Sequence, residues 1–464
     1  MLLGEIMSKE KRRVVVTGMG VICSLGTEIK DFWANCLRNH TKVEQIPKHW
    51  FDYADFSSTM LSPLPNIHFS EYDISQTETA RLDLSTQMAI AATSQALKNA
   101  KIEKEVRSVR HHTYILKNID LVRMGVLFGT GTGGVSTLLS GHAYQAVSNH
   151  KKRINEIIKD AVNKDTDQLV ADELASINRK MRIANRFNPF IVSMIMPNAC
   201  SNNISIKYGV MGMSNTLCSA CASSTVAIGH AYQAIKTGVL DIAITGGTEY
   251  LRDDYGAIFK GFDIIGALAC GDKHSVCGPF DKKRNGFLFS EGASAALILE
   301  DLEHAQNRGA EILGEIVGFA ETCDASSIMA VDKSGAQIKR MIKNVLEEAR
   351  AMPQDIDYIN THGTGTIVND EVEAQVIQDV FGRTPLLNST KSILGHTIGA
   401  SGAIEAIVAL LSIKENKTHI CNNLKEPILD LNFVTAVKKH EINTALSQSF
   451  AFGGQNAVLA IKGF

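Results

Sequence analysis

The sequence predicts an α/β protein with layered, parallel sheets, and three observations carry that prediction. Short apolar runs of strand length alternate along the chain with longer segments whose apolar residues recur at helical spacing. Several runs end directly in glycine-rich turns, GMG at 18–20, GTGTGG at 129–134, HGTGT at 362–366 and FGG at 452–454; strand ends are where such sheets gather their active groups. With 45% of its 464 residues hydrophobic, the chain can bury a core for two or three ordinary domains or one large duplicated unit.

The elements follow in order. A strand at 14–17 leads through Gly18 and Gly20 to a helix carrying Ile29, Phe32, Trp33, Cys36 and Leu37; lacking a third glycine, this start reads as a tight turn rather than a dinucleotide fingerprint. Residues 41–80, aperiodic and holding Pro63 and Pro65, read as an ordered surface excursion, and 84–100 as a helix. A strand at 124–128 runs into GTGTGG, whose amides would suit a phosphate or a carbonyl oxygen, yet no Walker lysine follows and a packing turn is the plainer reading. Residues 135–190 are charged and helix-prone, a solvated insertion; its basic residues Lys152, Arg153, Arg182 and Arg186 would suit an acidic partner. Strands are expected at 241–245, 293–299, 312–320 and 357–361, with a helix at 338–350 between the last two. Cys270, His274 and Cys277 lack the fourth ligand of a structural zinc site, so no metal is expected there.

Composition excludes several classes. Lys plus Arg number 47 and Asp plus Glu 49, a net charge of −2 that exerts no global pull on nucleic acid or anionic membrane. Nine mostly isolated cysteines do not make a disulfide framework in so long a chain, which predicts a reducing, cytoplasmic setting. The longest apolar run, 403–413, is interrupted by Glu405 and is too short to span a bilayer. Residues 1–13 place their charges after a short apolar start and do not match a signal peptide.

The chemistry gathers around the stretch NTLCSACASSTVAIGHAYQAIKTG. An extended run meets a helix marked by Val226, Ile228, Tyr232 and Ile235 and ended by Gly238, which puts Cys221 at a helix N-terminus. Unpaired amides and the helix dipole there favour a thiolate. Two readings stand beside this one: a buried structural cysteine, and a redox pair formed with Cys218 in the pattern Cys-Ser-Ala-Cys.

Three strand ends in the second half bear on the choice. NTHGTGT sets His362 after a strand, with Glu373 eleven residues on; TKSILGH sets Lys391 after another, with His396 before a helix of small residues; and SFAFGGQN joins two strands at Gly453 and Gly454, freeing the amide of Phe452. Together with Cys221 these supply a nucleophile, two neutral N–H donors, a lysine–glutamate pair to orient them, and amides for a tetrahedral intermediate.

On these motifs, in this order from about residue 14 to 461, the chain resembles the β-ketoacyl-acyl carrier protein synthases of the Cys-His-His type, nearest the elongating synthase II group. The resemblance implies the thiolase fold, two similar βαβαβαββ halves in α/β/α/β/α layers, here 14–276 with insertions at about 41–80 and 135–190, and 277–464. It implies that Cys221 takes the acyl chain, that His362 and His396 hold the malonyl thioester carbonyl, and that Lys391 and Glu373 support them. Phe452 would gate the acyl pocket beside Gly453 and Gly454, its amide completing the oxyanion hole with that of Cys221, and Phe262, Thr364 and Thr366 would line the substrate pocket. The implied reaction condenses an acyl thioester with malonyl-acyl carrier protein, with carrier protein as partner, a homodimeric assembly and no cofactor. Where the family commonly has glycine this chain has Ala451. Non-elongating relatives lack the cysteine, and thiolases carry a second cysteine that SFAFGGQN does not supply.

Overall fold

In the computed structural model, which describes residues 12–163, 168–180, 187–273 and 275–464, ten strands are hydrogen-bonded into one run. They are β1 (Val14–Ile22), β2 (Met124–Gly129), β3 (Ser214–Leu217), β4 (Ile242–Tyr250), β5 (Gly292–Asp301), β6 (Gly314–Cys323), β7 (Tyr358–Asn360), β8 (Leu386–Asn388), β9 (Thr444–Phe450) and β10 (Gln455–Lys462). Their order is β8-β7-β9-β10-β6-β1-β5-β4-β2-β3, so each half repeats one internal order and the halves meet where β1 joins β6. That seam is short, pairing Val14, Val15 and Val16 with Ile316, Glu315 and Gly314.

Helices complete a layered thiolase fold: α1 (Leu84–Asn99), α2 (Val135–Asn163), α3 (Gln168–Lys180), α4 (Ala199–Tyr208), α5 (Ser223–Lys236), α6 (Ala336–Ala349), α7 (Ile367–Phe381) and α8 (Ser401–Glu415). The pair α1 and α4 covers the outer face of the first half, α6 and α7 that of the second, and α5 and α8 lie between the halves. A helix sandwiched this way must be apolar all round, and α8 buries every residue from Ser401 to Ile413. Its small residues let it close on α5: a Cβ on Gly402 would stand 1.9 Å from Thr225 Oγ1.

Two expectations need correction. The sheets are mixed: β2 is parallel to β3 and β4, and β7 to β8 and β9, but β1, β5, β6 and β10 run antiparallel to their neighbours. Parallel neighbours need a crossover, usually a helix laid on the sheet; β9 reaches β10 through a four-residue turn, so that pair reverses direction. By strand pairing the first repeat runs through Asp301 and the second opens at Gly314, a later division than 276/277, because β5 sits between β1 and β4.

The excursion at 41–80 is ordered, as expected, and is more than surface. Strand Met60–Ser62 pairs with Phe289–Ser290, and buried Trp50 packs its ring 5.8 Å from Phe259. The insertion at 135–190 contains α2 and α3, which pack on each other, with Asn178 donating to Asn155 Oδ1 at 2.7 Å. Lys152 and Arg153 are exposed on α2, whereas Arg182, Arg186 and His274 lie outside the described residues. No group of three or more metal-type side chains among the described residues is arranged to hold a metal ion.

Candidate active site

The nucleophile turn is built from small side chains held by hydrogen bonds. After β3, Ala220 takes φ +44°, a 3-10 turn spans Ala220–Ala222, and α5 begins at Ser223. Ser223 Oγ accepts from the Ser219 N–H at 2.9 Å and donates to the Ala220 carbonyl at 2.7 Å and to the Thr130 carbonyl at 3.1 Å, fixing the turn against β2. Cys221 therefore stands at the helix entrance as the sequence predicts, but only 5% exposed. Burial outweighs the helix terminus and pushes the resting thiol up to about 12, opposed by the charge of Lys391 and by the amides of Phe452 and of Cys221 itself. The resting group is thus a thiol, not the expected thiolate, and both proposed oxyanion-hole amides lie against its sulfur.

His396 follows the short helix Lys391–Leu394, its N–H donating to the Leu288 carbonyl at 2.8 Å. Its Nε2 lies 3.1 Å from Cys221 Sγ. The other ring nitrogen settles the tautomer. Nδ1 accepts the backbone N–H of Ile398 at 3.3 Å, and Ser401 Oγ stands 3.1 Å from it. A backbone N–H can only donate, so the neutral ring carries its hydrogen on Nε2, facing the sulfur. Burial first, then Lys391, holds the imidazole neutral, well below the ordinary histidine range. His362 is also buried, its ring centroid 5.7 Å from that of His396, and is held neutral by burial, Lys391 and His396. Its Nδ1 has no hydrogen-bond partner among the described residues.

The supporting carboxylates divide their work differently from the expectation. Glu373, on α7, accepts the N–H of His362 at 2.7 Å and of Gly363 at 2.8 Å, gripping the loop's backbone; burial raises it to about 8. Lys391 pairs instead with Glu405, Nζ to Oε1 2.5 Å, both side chains 2% exposed. Glu405 went unassigned in the sequence although it is the one charge in the apolar run 403–413, and a lone charge in a buried helix is the signal that finds it. Lys391→Met should cost about 3–5 kcal/mol, because it strands a buried carboxylate, whereas the double change Lys391→Met with Glu405→Gln should recover most of that loss. Urea unfolding of the three proteins checks this.

The turn GTGTGG also finds its role. Buried Glu249, at the end of β4, accepts the N–H of Gly131 at 2.6 Å and of Thr132 at 3.1 Å, so the chain's own carboxylate occupies the cradle that a phosphate would need. Thr364 and Thr366, hydroxyls 2.9 Å apart, line a cavity of about 330 Å³ with Cys221, His362, His396, Ile398, Ala451 and Phe452. Gly453 (φ +90°) and Gly454 (φ +77°) make the turn behind Phe452, conformations that suit glycine. Phe262 departs from expectation: the wall is Phe287, its ring 5.1 Å from His396, and Phe262 stands behind it at 5.6 Å. The Cys218/Cys221 redox pair gains no support, since Cys218 is exposed while Cys221 is buried against His396, and both are free.

Comparison with known proteins converges on the same chemistry. Residues 11–305 match the family model Beta-ketoacyl synthase, N-terminal domain, and residues 313–425 match Beta-ketoacyl synthase, C-terminal domain. The chain is 33% identical to 3-oxoacyl-[acyl-carrier-protein] synthase 2 of Staphylococcus aureus (strain N315) over 98% of this chain and 99% of that protein. It is 32% identical to the protein of the same name from Synechocystis sp., over 98% of each. The crystal structure of a β-ketoacyl synthase from Burkholderia phymatum STM815 superposes with a TM-score of 0.78 at 27% identity, covering 98% of this chain and 100% of that one. The ishigamide ketosynthase/chain length factor does so with a TM-score of 0.77 at 26% identity and the same coverage. With both family domains matched in order on a thiolase fold, and a cysteine facing two neutral histidines where those domains join, the chain belongs to the β-ketoacyl synthase family.

Proposed function

We propose that the protein catalyses decarboxylative condensation of an acyl thioester with malonyl-acyl carrier protein, in fatty acid or polyketide-like synthesis. Cys221 sulfur attacks the acyl carbonyl, the oxyanion forms against the amides of Cys221 and Phe452, and the carrier thiol leaves with the proton. Malonyl thioester then enters, its carboxylate carbon leaves as carbon dioxide, and the electron pair becomes an enolate on the thioester oxygen. His362 and His396 donate to that oxygen. The enolate carbon bonds to the acyl carbonyl and Cys221 leaves as thiolate, to be reprotonated. The scheme uses no metal or organic cofactor. The single observation that carries it is His396 Nε2 at 3.1 Å from Cys221 Sγ, with Nδ1 accepting the Ile398 N–H and His362 beside it, a pair of rings suited to donate to an oxyanion.

The names of the synthase 2 relatives support a carrier protein as partner. Nine free cysteines support a reducing, cytoplasmic setting, and no helix among the described residues is long and apolar enough to cross a membrane. A homodimer is supported by β3, which ends the strand order with one edge unpaired among the described residues.

With labelled malonyl-carrier protein and an acyl-carrier protein, the native protein should release carbon dioxide and form β-ketoacyl product, and Cys218→Ser should keep most of both. Acylation without carbon dioxide release from any malonyl-carrier protein would overturn the condensation reading. Equal loss in Cys218→Ser and Cys221→Ser would revive the redox pair.

A further inference from the structure

The buried carboxylate of Glu249 has no part in the scheme above, yet it joins two turns that do. Its Oε2 accepts the N–H of Gly131 at 2.6 Å and of Gly399 at 3.0 Å. Its Oε1 accepts the Thr132 N–H at 3.1 Å and hydroxyl at 2.5 Å, with the Thr130 hydroxyl at 3.3 Å. Each turn leads directly to a reacting group. On one side, the Thr130 carbonyl accepts from Ser223 Oγ, the hydroxyl that pins the Cys221 turn. On the other, Gly399 follows Ile398, whose N–H is the donor to His396 Nδ1.

Ile398 needs an external hold. It sits at φ +47°, a left-handed conformation that is unfavourable for a β-branched residue and persists only where its surroundings enforce it. The anchor on the next amide is Glu249. Close packing adds to it, since a Cβ on Gly399 would meet the Gly131 nitrogen at 2.4 Å and Glu249 Oε2 at 2.5 Å, so the two turns approach through their backbones with the Glu249 carboxylate as the side chain that joins them.

We propose that Glu249 is a positioning residue: by clamping Gly131, Thr132 and Gly399 it holds the Ile398 N–H on His396 Nδ1, and so keeps the hydrogen of that ring on Nε2, toward Cys221. Without the clamp Ile398 relaxes toward an ordinary conformation, its N–H leaves Nδ1, and the ring populates the Nδ1–H tautomer, which presents a lone pair where the enolate oxygen needs a donor. The consequence for catalysis rests on the condensation reading; the tautomer itself does not.

Glu249→Gln keeps the shape and removes one acceptor oxygen, so an NH2 group must face backbone N–H donors on one side. The ring nitrogens of His396 are read in the full-length protein without substrate, by ¹⁵N-histidine spectra assigned against His396→Gln. The native ring should give the Nε2–H pattern and Glu249→Gln a mixture with Nδ1–H. Carbon dioxide release should fall at least tenfold in kcat with KM for malonyl-carrier protein little changed. Thr132→Val, which removes one hydroxyl from the clamp, should show the same changes in smaller degree, and it decides the matter if Glu249→Gln does not fold. A native-like His396 spectrum in the folded variants overturns the proposal whatever the activity. A shifted spectrum in a protein that never releases carbon dioxide would instead keep the clamp and overturn the condensation reading.

Discussion

Cys221→Ser should leave no acyl adduct on the protein after incubation with acyl-carrier protein. The sulfur is the one nucleophilic atom on which the amide of Phe452, its own amide and His396 Nε2 converge, and it opens on the same cavity as His362. Burial holds the resting thiol up to about 12, so attack depends on a site that stabilises negative charge as the proton leaves. His396 does so by donation; with its hydrogen already on Nε2 it cannot also take the thiol proton. A serine hydroxyl in the same place starts from a far less acidic group, and three donors suited to a thiolate do not close that gap. Intact-protein mass spectrometry should show a one-acyl mass increment on the native chain and none on the variant. A persistent increment on Cys221→Ser would transfer the nucleophile's role to another residue.

What was legible in the sequence is what backbone punctuation reveals. Cys221, His362, Lys391 and Phe452 each follow a strand at a glycine-rich or small-residue turn, His396 comes one short helix after Lys391, and the fold needs those turns to bring Cys221, His362, His396 and Phe452 to one cavity with Lys391 held on Glu405. Partner choice was not legible. Lys391 could as well have met Glu373 as Glu405, and only the closeness of α8 to its own preceding turn decides for Glu405. Glu249 lay in the stretch TGGTE, but its five donors come from residues more than a hundred positions away. Phe262 and Phe287 are both apolar residues beside the same loop, and no periodicity ranks two side chains on different segments by their distance from a third. The resting thiol was misjudged because a helix N-terminus can be read locally, whereas the burial that outweighs it belongs to an apolar cluster whose other members, Ile398 and Phe287 among them, lie far along the chain.

His362→Ala and His396→Ala should each lower carbon dioxide release from malonyl-carrier protein severely while some acylation of Cys221 survives in at least one of them. Loss of carbon dioxide moves charge onto the thioester oxygen, so a hydrogen bond to that oxygen is stronger in the transition state than in the bound substrate and its loss appears in kcat. Removing one such donor typically costs on the order of a hundredfold or more. In the proposed scheme acylation places its oxyanion against the amides of Cys221 and Phe452, which lie against the sulfur and which neither change removes. His362 is the cleaner case: its backbone N–H is held by Glu373 and its ring makes no hydrogen bond through Nδ1 among the described residues, so truncation leaves the loop's anchor intact. Both rings are held neutral well below the ordinary histidine range, so native release should show no histidine protonation limb between about pH 6 and 8. Labelled carbon dioxide release and intact-protein mass spectrometry score the two steps separately. Native release rates in both variants would sink the mechanism, because no other pair of neutral ring donors lines the cavity among the described residues.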